Sequence, residues 1–411
     1  MPNSYADALL SDLAASRDHR EALYAWFHQH AELSLREFQT AECIKAELAK
    51  LDGVAVTEVG ETGLVAVIEN GEGPCVAVRA DIDGLPMAED SGKDYAATDH
   101  YQDNAEGEKT PVAHSCGHDV HIMGLLGVIA QFAAHTEAWQ GTLVGYFQPA
   151  EETAEGAQAM VDAGIADAFP AKPDIFLAQH VLGVIPGGAV GSIPGPIFTT
   201  ASSIDVTVYG RGSHGAMPNL GVDPVVLAAS IVMRLQTVVA REVAPRDTGV
   251  ITVGALQAGS KSNIIADRAV LKLNTRAYSE EVRDPLHEAI ERIVKAECVA
   301  SGSPKDPEFR YYDRYPLTTN DPAMVAKVRE AFDAQFGADS VDMEPVPASE
   351  DFSIVPDHLG VPYVYWGLGG FQDQANAPGN HSPQFAPDLQ PTLDRGVEAI
   401  VTAAGPWLAK H

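Results

Sequence analysis

The stretch Thr142-Leu-Val-Gly-Tyr-Phe-Gln-Pro-Ala-Glu-Glu152 decides the fold, because it joins a short apolar run to two adjacent carboxylates. The apolar run is typical of a buried strand. A helix rich in Leu, Ile and Met is expected before it at 119–135, and a second helix after it at 154–163. Further helices are predicted at 5–30 and 36–51. Strands that alternate with helices predict an α/β fold, in which a largely parallel sheet carries helices on its faces.

Polar side chains follow several of the predicted strands. Asp81 and Asp83 come after a strand at 76–78, and His180 comes after a strand at 175–178. The two adjacent carboxylates follow the strand quoted above. In a parallel sheet the carboxyl ends of the strands meet at one edge, and functional groups collect beyond that edge. We therefore expect these side chains to converge on a single site.

The middle of the chain has a different pattern. Its elements follow the order β-α-β-β-α-β, which is that of a small ferredoxin-like sandwich. They are predicted at 204–209, 223–242, 248–256, 269–276, 279–299 and 309–312. Asp223 is a start signal for the first helix, and Ser279 is the expected N-cap of the second. We predict a discontinuous catalytic domain formed by 1–196 and 313–411, and an inserted dimerisation or lid domain at 197–312.

The composition restricts the class of protein. With 411 residues, of which 45% are apolar, the chain is long enough for two domains with substantial cores. The formal net charge of −30 disfavours nucleic acid and anionic membranes as partners. Residues 1–20 lack the apolar core of a signal peptide, and no run of about 18 apolar residues predicts a membrane span. The cysteines have no disulfide-like spacing, so we expect a reducing, cytoplasmic setting.

The strongest chemical signal is His114-Ser-Cys-Gly-His-Asp-Val-His121, which leads into the apolar helix. Cys116 and His118 lie two residues apart, so in extended backbone their side chains point the same way. A thiolate and an imidazole on one side of the chain suit a borderline-soft metal ion. Three further residues complete a set of five ligands, which is enough for two divalent ions. They are Glu152, His180 and His381.

The predicted chemistry is the hydrolysis of an amide. A bound divalent metal lowers the pKa of its water to about 7 and polarises the carbonyl, and two metals about 3.5–4 Å apart hold one hydroxide between them. Glu151, which is not needed as a ligand, is predicted to take the proton of the water and pass it to the leaving amine. Asp81 is either a plain turn residue or orients a ligating histidine. His114 and His121 are either ligands or structural histidines, and His28 is expected to hydrogen bond or pack at a helix end.

At these residues the chain resembles a family of metallo-amidohydrolases that includes hippurate hydrolases, auxin-conjugate hydrolases and, more distantly, glutamate carboxypeptidases. The matching segments follow the family's order across nearly the whole chain. They are Arg79-Ala-Asp-Ile-Asp-Gly-Leu-Pro86, Cys116-Gly-His-Asp119, Gln148-Pro-Ala-Glu-Glu152, Gly212-Ser-His-Gly-Ala-Met-Pro218, Asn263-Ile-Ile265, Glu350-Asp-Phe352 and His381-Ser-Pro383. Within the family, the segments 26–30, 70–73 and 235–241 are similar to bacterial aminoacylases that act on N-acyl-glutamine.

The resemblance implies the five ligands named above, Glu151 as the general base, and roles for three residues of the inserted domain. His214 would stabilise the oxyanion, in this family often in the active site of the partner subunit, so we expect a homodimer formed through the inserted domain. Asn263 and Arg276 would hold the carboxylate of the substrate, since amide and guanidinium donors suit a carboxylate. Without the resemblance, loop capping would be favoured for Asn263 and a surface charge for Arg276.

The implied function is hydrolysis of the amide bond of an N-acyl-L-amino acid, with N-acyl-glutamine as the candidate substrate, by a metal-bridged hydroxide. A dipeptidase or carboxypeptidase that uses the same binuclear site is the alternative, and a non-catalytic binding protein is the third hypothesis. The thiolate favours Zn, while Mn, Co and Ni also suit histidine and carboxylate ligands. The expected partners are the small-molecule substrate and a second copy of the chain, without nucleic acid or membrane.

Overall fold

The structure is a computed structural model that describes residues 4–105 and 107–410. Residues 1–3, Glu106 and His411, which belong to the predicted catalytic domain, lie outside the described residues. The chain divides into two compact units. The first contains the described residues up to Ile197, then Thr319–Pro345 and those from Asp351 onward, and the second contains Phe198–Thr318 and Val346–Glu350.

An eight-stranded sheet forms the centre of the first unit. In spatial order its strands are Ala55–Val59, Gly63–Asn70, Gly141–Gln148, Cys75–Asp81, Ile175–Pro186, Tyr363–Phe371, Val190–Ser192 and Ser340–Asp342. The four strands from the third to the sixth run parallel to one another, and the strand on either side of this group is antiparallel to it. The predicted α/β fold with a mostly parallel sheet is therefore confirmed.

Helices pack against this sheet. The α-helices of the first unit are Ser4–Leu9, Arg17–Gln29, Phe38–Leu48, His118–Ala134, Gly156–Asp162, Pro322–Phe336, Ile354–Leu359 and Leu389–Leu408. His118–Ala134 is buried along most of its length, and its side chains Leu125, Ile129 and Phe132 belong to the core. A helix that is apolar on every side is stable only inside a core. Its burial places the polar first turn of the helix inside the molecule as well.

The predicted helix at 5–30 is wrong in its continuity, because the structure divides it into three pieces. They are Ser4–Leu9, the 3₁₀-helix Leu13–Ser16 and Arg17–Gln29. The hydroxyl of Ser16 donates to the carbonyl oxygen of Leu13 at 3.0 Å, and the buried guanidinium of Arg20 donates to the same oxygen at 3.0 Å. Side-chain donors that take up backbone carbonyls in this way compete with the regular helical pattern.

The second unit is a four-stranded antiparallel sheet with two helices. In spatial order the strands are Gly249–Ala258, Arg268–Ala277, Thr200–Tyr209 and Glu308–Tyr315, and the helices are Pro224–Arg241 and Glu280–Ala300. Along the chain the order is the predicted β-α-β-β-α-β. Ile204, Val206 and Val208 are buried and alternate with more exposed neighbours, as expected when one face of a sheet covers a core.

The two helices of the second unit begin differently. Oδ1 of Asp223 accepts the backbone N–H of Val225 at 2.8 Å, and Pro224 occupies the first helical position, as the start signal predicted. Ser279 is the N-cap of the other helix, but its side chain makes no capping hydrogen bond in the described part of the chain. Ser279 is therefore the N-cap by position, as predicted, and its hydroxyl does not supply a cap to the described residues of this helix.

One helix among the described residues, Pro224–Arg241, is long and apolar enough to cross a membrane when judged by length and composition alone. Its residues Leu227, Ile231 and Leu235 are buried in the core of the second unit. A core helix of this kind meets the same criterion, so the helix is only a weak indication of a membrane span.

Candidate active site

Three parallel strands carry polar side chains to one edge of the sheet in the first unit. Asp81 ends its strand and lies beside Gln148, the last residue of the neighbouring strand. His180 lies on the next strand, which runs to Pro186 and does not end at 178 as predicted. The strand is longer because Tyr363–Phe371, which is distant in sequence, pairs with it from Phe176 to Leu182 and again at Pro186. A carboxylate and an imidazole thus reach the same edge.

Gly117 forms the turn that carries Cys116 and His118. Its φ of 87° is left-handed, and a Cβ at this position would lie 2.4 Å from Cγ1 of Val181. Glycine meets both demands because it has no Cβ. The turn allows the helix to begin at His118 and places Sγ of Cys116 3.5 Å from Nε2 of His180.

Two buried histidines of the site have defined tautomers. Nδ1 of His118 lies 2.9 Å from the carbonyl oxygen of Asp83, and Nδ1 of His180 lies 2.9 Å from the carbonyl oxygen of Val181. A carbonyl oxygen only accepts, so Nδ1 carries the proton in each neutral ring and Nε2 carries the lone pair. Among the described residues, Nε2 of His118 is buried and has no hydrogen-bond partner. Each ring therefore presents the kind of lone pair that binds a metal ion.

Two adjacent glutamates lie on one short loop. The backbone N–H of Glu152 donates to Oδ2 of Asp83 at 3.0 Å. Oε2 of Glu152 lies 3.3 Å from Nε2 of His381, and its Oε1 is buried without a hydrogen-bond partner in the described part of the chain. Nε2 of His118 lies 3.8 Å from Oε1 of Glu152 and 3.9 Å from Oε2 of Glu151. The loop thus turns both carboxyl groups toward the same imidazole.

His381 belongs to a Gly- and Pro-rich loop that is fastened to the cysteine turn. Its backbone N–H donates to the carbonyl oxygen of Ser115 at 2.8 Å. The side chain of Asn380 donates to the carbonyl oxygen of Cys116 at 3.1 Å. The imidazole of His381 remains 53% exposed, so the site is open to solvent on this side.

Five groups of ligand-type side chains lie close together among the described residues, and two of these groups contain only the predicted ligands and share Cys116. One group contains Cys116, His118 and His180, and the other contains Cys116, Glu152 and His381. Within each group the ligand atoms lie within 4.8 Å of one another. Two buried atoms of these two groups, Nε2 of His118 and Oε1 of Glu152, have no hydrogen-bond partner among the described residues and are positions where a cation would complete the contacts. The residues present therefore fit a pair of divalent ions.

The electrostatics around Cys116 also suit a cation. Burial raises the pKa of the thiol well above its usual range, and the carboxylate of Glu152 raises it further. Burial lowers the pKa of His118, but Asp81 and Asp83 outweigh burial and raise it to about 10. A bound divalent cation reverses this balance, because it favours the thiolate and the neutral imidazole that bind it.

The geometry of His121 favours the structural role over that of a ligand. Its Nε2 accepts the backbone N–H of Val181 at 2.9 Å, and its Nδ1 lies 2.5 Å from Oδ1 of Asp81. Both ring nitrogens are thus occupied. Asp81 also accepts from Arg79 at 2.6 Å and lies 3.6 Å from Nε2 of His118. Asp81 is therefore a buried carboxylate with ordered partners and not a plain turn residue.

Two other buried histidines lie outside the ligand groups. His28 lies between Oδ2 of Asp119 at 2.6 Å and Oε1 of Glu89 at 3.0 Å, so it hydrogen bonds as expected. Burial lowers the pKa of His28, but these carboxylates outweigh burial and raise it to about 9. His114 is buried, and neither of its ring nitrogens has a hydrogen-bond partner among the described residues. Burial lowers the pKa of His114 to about 4, so this imidazole is neutral.

The three remaining predicted residues lie in the second unit. His214 is exposed and lies on a short two-stranded ladder. Asn263 borders that ladder, and its carbonyl oxygen accepts the N–H of Gly215 at 2.8 Å. Arg276 lies on a strand of the main sheet and donates from Nη1 to a backbone carbonyl oxygen at 2.8 Å. The ladder thus brings His214 and Asn263 together, and Arg276 is held in place on the sheet.

Three carboxylates hold the glutamate loop. Asp83 was expected to converge on the site but had no assigned role, whereas Asp351 and Glu37 were not predicted as site residues. Asp83 accepts the backbone N–H of Glu152, and Glu37 accepts that of Ala150 at the start of the loop. Asp351 accepts a donor at each end of the loop, the side chain of Gln148 and the backbone N–H of Ala157. Asp83 and Asp351 belong to matched segments, so the sequence contained a signal for them. Glu37 belongs to none of these segments, and no local pattern distinguishes it from a surface glutamate.

Comparison with known proteins identifies the family. The profile described as peptidase family M20/M25/M40 matches residues 77–404. The N-acetylcysteine deacetylase of Bacillus subtilis (strain 168) is 30% identical over 386 residues, which cover 93% of each chain. The thermostable carboxypeptidase 2 of Saccharolobus solfataricus is 31% identical over 366 residues, which cover 88% of each chain.

A solved structure shares the fold. The YXEP protein of Bacillus subtilis, described as a dinuclear metal binding peptidase from the M20 family, gives a TM-score of 0.76 at 24% identity. The similarity covers 95% of this chain and 98% of the other. The predicted resemblance to metal-dependent amidohydrolases is thus confirmed. The chain belongs to peptidase family M20/M25/M40 and is an amidohydrolase.

Proposed function

We propose that the chain hydrolyses the amide bond of N-acyl-L-amino acids at a centre of two divalent metal ions. The observation that carries this proposal is the convergence of five side chains of ligand type at one edge of the sheet. They are Cys116, His118, Glu152, His180 and His381. The relative named N-acetylcysteine deacetylase supports an N-acyl amino acid as the substrate class. Within that class, N-acyl-glutamine is the specific substrate that we propose.

The loop that carries Glu151 supports its role as the general base. When bound, the two ions would lower the pKa of a water molecule and polarise the scissile carbonyl. Oε2 of Glu151 lies 3.9 Å from Nε2 of His118, so its carboxyl group faces the ligands. Glu151 takes one proton from the water and returns it to the nitrogen of the scissile amide as the C–N bond breaks. The oxygen of the water ends in the acyl carboxyl group, which releases the second proton of the water to solvent as it ionises, and the amino acid leaves as the free amine.

Asp81 contacts histidines of the site and is not itself one of the five proposed ligands. Burial raises the pKa of this carboxyl group, but the guanidinium of Arg79 and the nearby imidazoles outweigh burial and hold the pKa well below its usual range. Asp81 is therefore ionised and orients His121, which in turn accepts the backbone N–H next to His180. We propose that Asp81 acts by positioning these imidazoles.

We propose that the second unit is the inserted domain that supplies the remaining substrate contacts. Nδ1 of His214 accepts the N–H of Ala216 at 3.1 Å, so the proton of the neutral ring is on Nε2 and can stabilise an oxyanion. Asn263 and Arg276 would bind the carboxylate of the substrate, because amide and guanidinium groups are good donors to carboxylates. His214 would serve the active site of its own chain or that of a partner subunit.

A homodimer formed through the second unit is supported by exposed apolar side chains. On the outer side of Pro224–Arg241, Val226 is 62% exposed and Met233 is 72% exposed. Leu256 is also exposed and lies on Gly249–Ala258, which is an edge strand of the sheet. Edge strands and apolar patches are common sites of association. Analytical ultracentrifugation should show a dimer that Met233→Glu weakens, and a wild-type monomer at all concentrations would contradict the proposal.

A carboxypeptidase or dipeptidase is the second candidate, because one relative is named a carboxypeptidase. Both reactions break an amide bond next to a carboxylate, so they require the same metal centre. The two are separated by kcat/KM for N-acyl amino acids and for dipeptides with a free amine. A clear preference for the free-amine substrates would assign the chain to the peptidases.

The proposed function is tested by amine release from a panel of N-acetyl, N-benzoyl and longer-chain N-acyl amino acids, with and without a chelator. Glu151→Gln should lower kcat by about 10²–10⁴-fold and retain both metal ions. Glu155→Gln is the matched control, since it makes the same change at an exposed position of the same loop. Near-normal turnover by Glu151→Gln would contradict the assigned base. Metal analysis of the active protein would distinguish Zn, which we propose, from Mn, Co or Ni.

A further inference from the structure

Glu37 is a buried residue that belongs neither to the two ligand groups nor to the matching segments quoted above. It stands directly before the helix Phe38–Leu48, but its side chain makes no capping hydrogen bond to that helix in the described part of the chain. Oε1 of Glu37 instead accepts the backbone N–H of Ala150 at 2.8 Å and that of Leu35 at 3.0 Å. Oε2 accepts the hydroxyl of Thr62 at 2.9 Å. The carboxyl group therefore joins the N-terminal helices to the loop of the two glutamates.

Ala150 is the residue through which this contact reaches the loop. Its φ of 50° is left-handed, which is unfavourable for a residue with a Cβ, so the surroundings must hold this conformation. Its carbonyl oxygen accepts the backbone N–H groups of Glu155 at 3.3 Å and Gly156 at 3.1 Å. A Cβ on Gly156 would lie 1.5 Å from the carbonyl oxygen of Pro149, which shows how tightly the turn is wound. The backbone conformation of Ala150 thus sets the direction in which the chain enters the two glutamates.

The other contacts of the loop lie further along the chain. Asp83 accepts the backbone N–H of Glu152 at 3.0 Å. Asp351 accepts the side chain of Gln148 at 2.6 Å and the backbone N–H of Ala157 at 3.0 Å. These contacts hold the two ends of the loop and Glu152, and the hydrogen bond from Ala150 to Glu37 holds the peptide that leads into the two glutamates.

We propose that Glu37 is a positioning residue, which fixes the directions of Glu151 and Glu152 through the backbone of Ala150. The inference rests on the proposed function, in which Glu151 moves the proton and Glu152 binds a metal ion. Without the carboxyl group, the buried N–H of Ala150 loses its acceptor, and its left-handed backbone is released. Both glutamates then shift together. A displacement of about 1 Å at a reacting group lowers a rate by about 100-fold.

Glu32 provides a matched control for a merely structural role. It is also a buried glutamate before the same helix, and its Oε2 accepts the backbone N–H of Thr40 at 2.8 Å and the Thr40 hydroxyl at 3.0 Å. Glu32 therefore holds the helix, whereas Glu37 holds the loop. Glutamine is a close replacement for Glu37, because its amide oxygen can still accept the backbone N–H groups of Ala150 and Leu35.

The experiment compares Glu37→Met, Glu37→Gln and Glu32→Met by two measurements. Glu37→Met should lower kcat by about 100-fold and change KM by less than about threefold in saturating metal, whereas Glu37→Gln should stay within about threefold of wild type. Hydrogen exchange of the metal-free protein should quicken in the peptide 149–157 for Glu37→Met only. Glu32→Met should lower the melting temperature but leave both kcat and the exchange of that peptide unchanged. If Glu37→Met does not fold, Glu37→Asp makes the same test, because the shorter side chain withdraws the carboxyl group from Ala150.

The outcomes separate this inference from the proposed function. If Glu37→Met keeps wild-type kcat and exchange while Glu151→Gln is inactive, the positioning role is wrong and the proposed function stands. An equal loss of kcat in Glu32→Met would also overturn the positioning role, since it would show that the effect of Glu37 on kcat comes from the general stability of the fold. If Glu151→Gln is active, the assignment of Glu151 as the base fails, and if the wild type releases no amine from any N-acyl amino acid, the proposed function fails. In either case exchange in the peptide 149–157 still decides whether Glu37 holds the loop.

Discussion

Replacing Gly117 with alanine tests the steric account of the turn between the cysteine and histidine ligands. Two costs add. A left-handed backbone is unfavourable for alanine by about 1–2 kcal/mol. The new Cβ would also lie 2.4 Å from Cγ1 of Val181 and 3.0 Å from Cε1 of Phe385, and overpacking of this kind costs about 1–3 kcal/mol. Gly117→Ala should therefore lower the free energy of unfolding by about 2–5 kcal/mol.

Gly53→Ala isolates the backbone part of this cost. Gly53 has a φ of 76°, and apart from Gly53 and its two chain neighbours no described residue has an atom within 4 Å of the position of its Cβ, so only about 1–2 kcal/mol should be lost. A double-mutant cycle of Gly117→Ala with Val181→Ala should give a coupling energy of about 1–3 kcal/mol, because Val181→Ala removes the clashing methyl group. Urea unfolding in the presence of a chelator measures all four variants without a contribution from metal. The steric reasoning is refuted if Gly117→Ala costs no more than Gly53→Ala.

Three further predictions concern buried charges. The pKa of His28 is raised to about 9 in the fold, so its contribution to stability is complete below about pH 6.5 and is lost as the pH rises through 9. The free energy of unfolding of the wild type should thus fall more steeply between about pH 7 and 10 than that of His28→Gln, and parallel pH profiles would contradict this. Asp81→Asn should lower kcat by about 10–100-fold because His121 loses its carboxylate partner, and an unchanged kcat would remove Asp81 from the site. Asp394→Ala should lower the free energy of unfolding by about 3 kcal/mol in urea, since Arg20 then becomes a buried cation without its carboxylate partner 2.6 Å away, and a loss below about 1 kcal/mol would show that the charge is solvated.

The parts of the site that depend on local pattern were predictable. An apolar run followed by polar residues located Asp81 and the two glutamates at the ends of parallel strands, since burial of a strand and exposure of its end are both visible in sequence. The length of the strand Ile175–Pro186 could not be predicted, because it is set by pairing with the distant strand Tyr363–Phe371. The apolar residues at 5–30 have the spacing of a helix. The helix is interrupted because the side chains of Ser16 and Arg20 donate to the carbonyl oxygen of Leu13, and the spacing of apolar residues does not reveal such contacts.

The contacts that orient the site could not be predicted for the same reason. The tautomers of His118 and His180 follow from carbonyl oxygens whose positions depend on the completed fold. The bond from the N–H of Ala150 to Glu37 joins residues 113 positions apart, and a glutamate before a helix is ordinarily exposed. Family resemblance supplied His214, Asn263 and Arg276, which neither periodicity nor spacing would have selected.

The discontinuity of the first unit imposes an order on its folding during synthesis. The strand Ile175–Pro186 leaves the ribosome well before its partner Tyr363–Phe371, because the whole second unit is translated between them. At about 5–20 residues per second this interval lasts roughly 10–40 s. Throughout it, one edge of the nascent sheet has no native neighbour, and such an edge is a template for association with other chains. His381 is translated later still, so Cys116 and His118 lie beside an incomplete sheet during this interval. A chaperone that covers the unpaired edge would therefore also protect the thiol of Cys116.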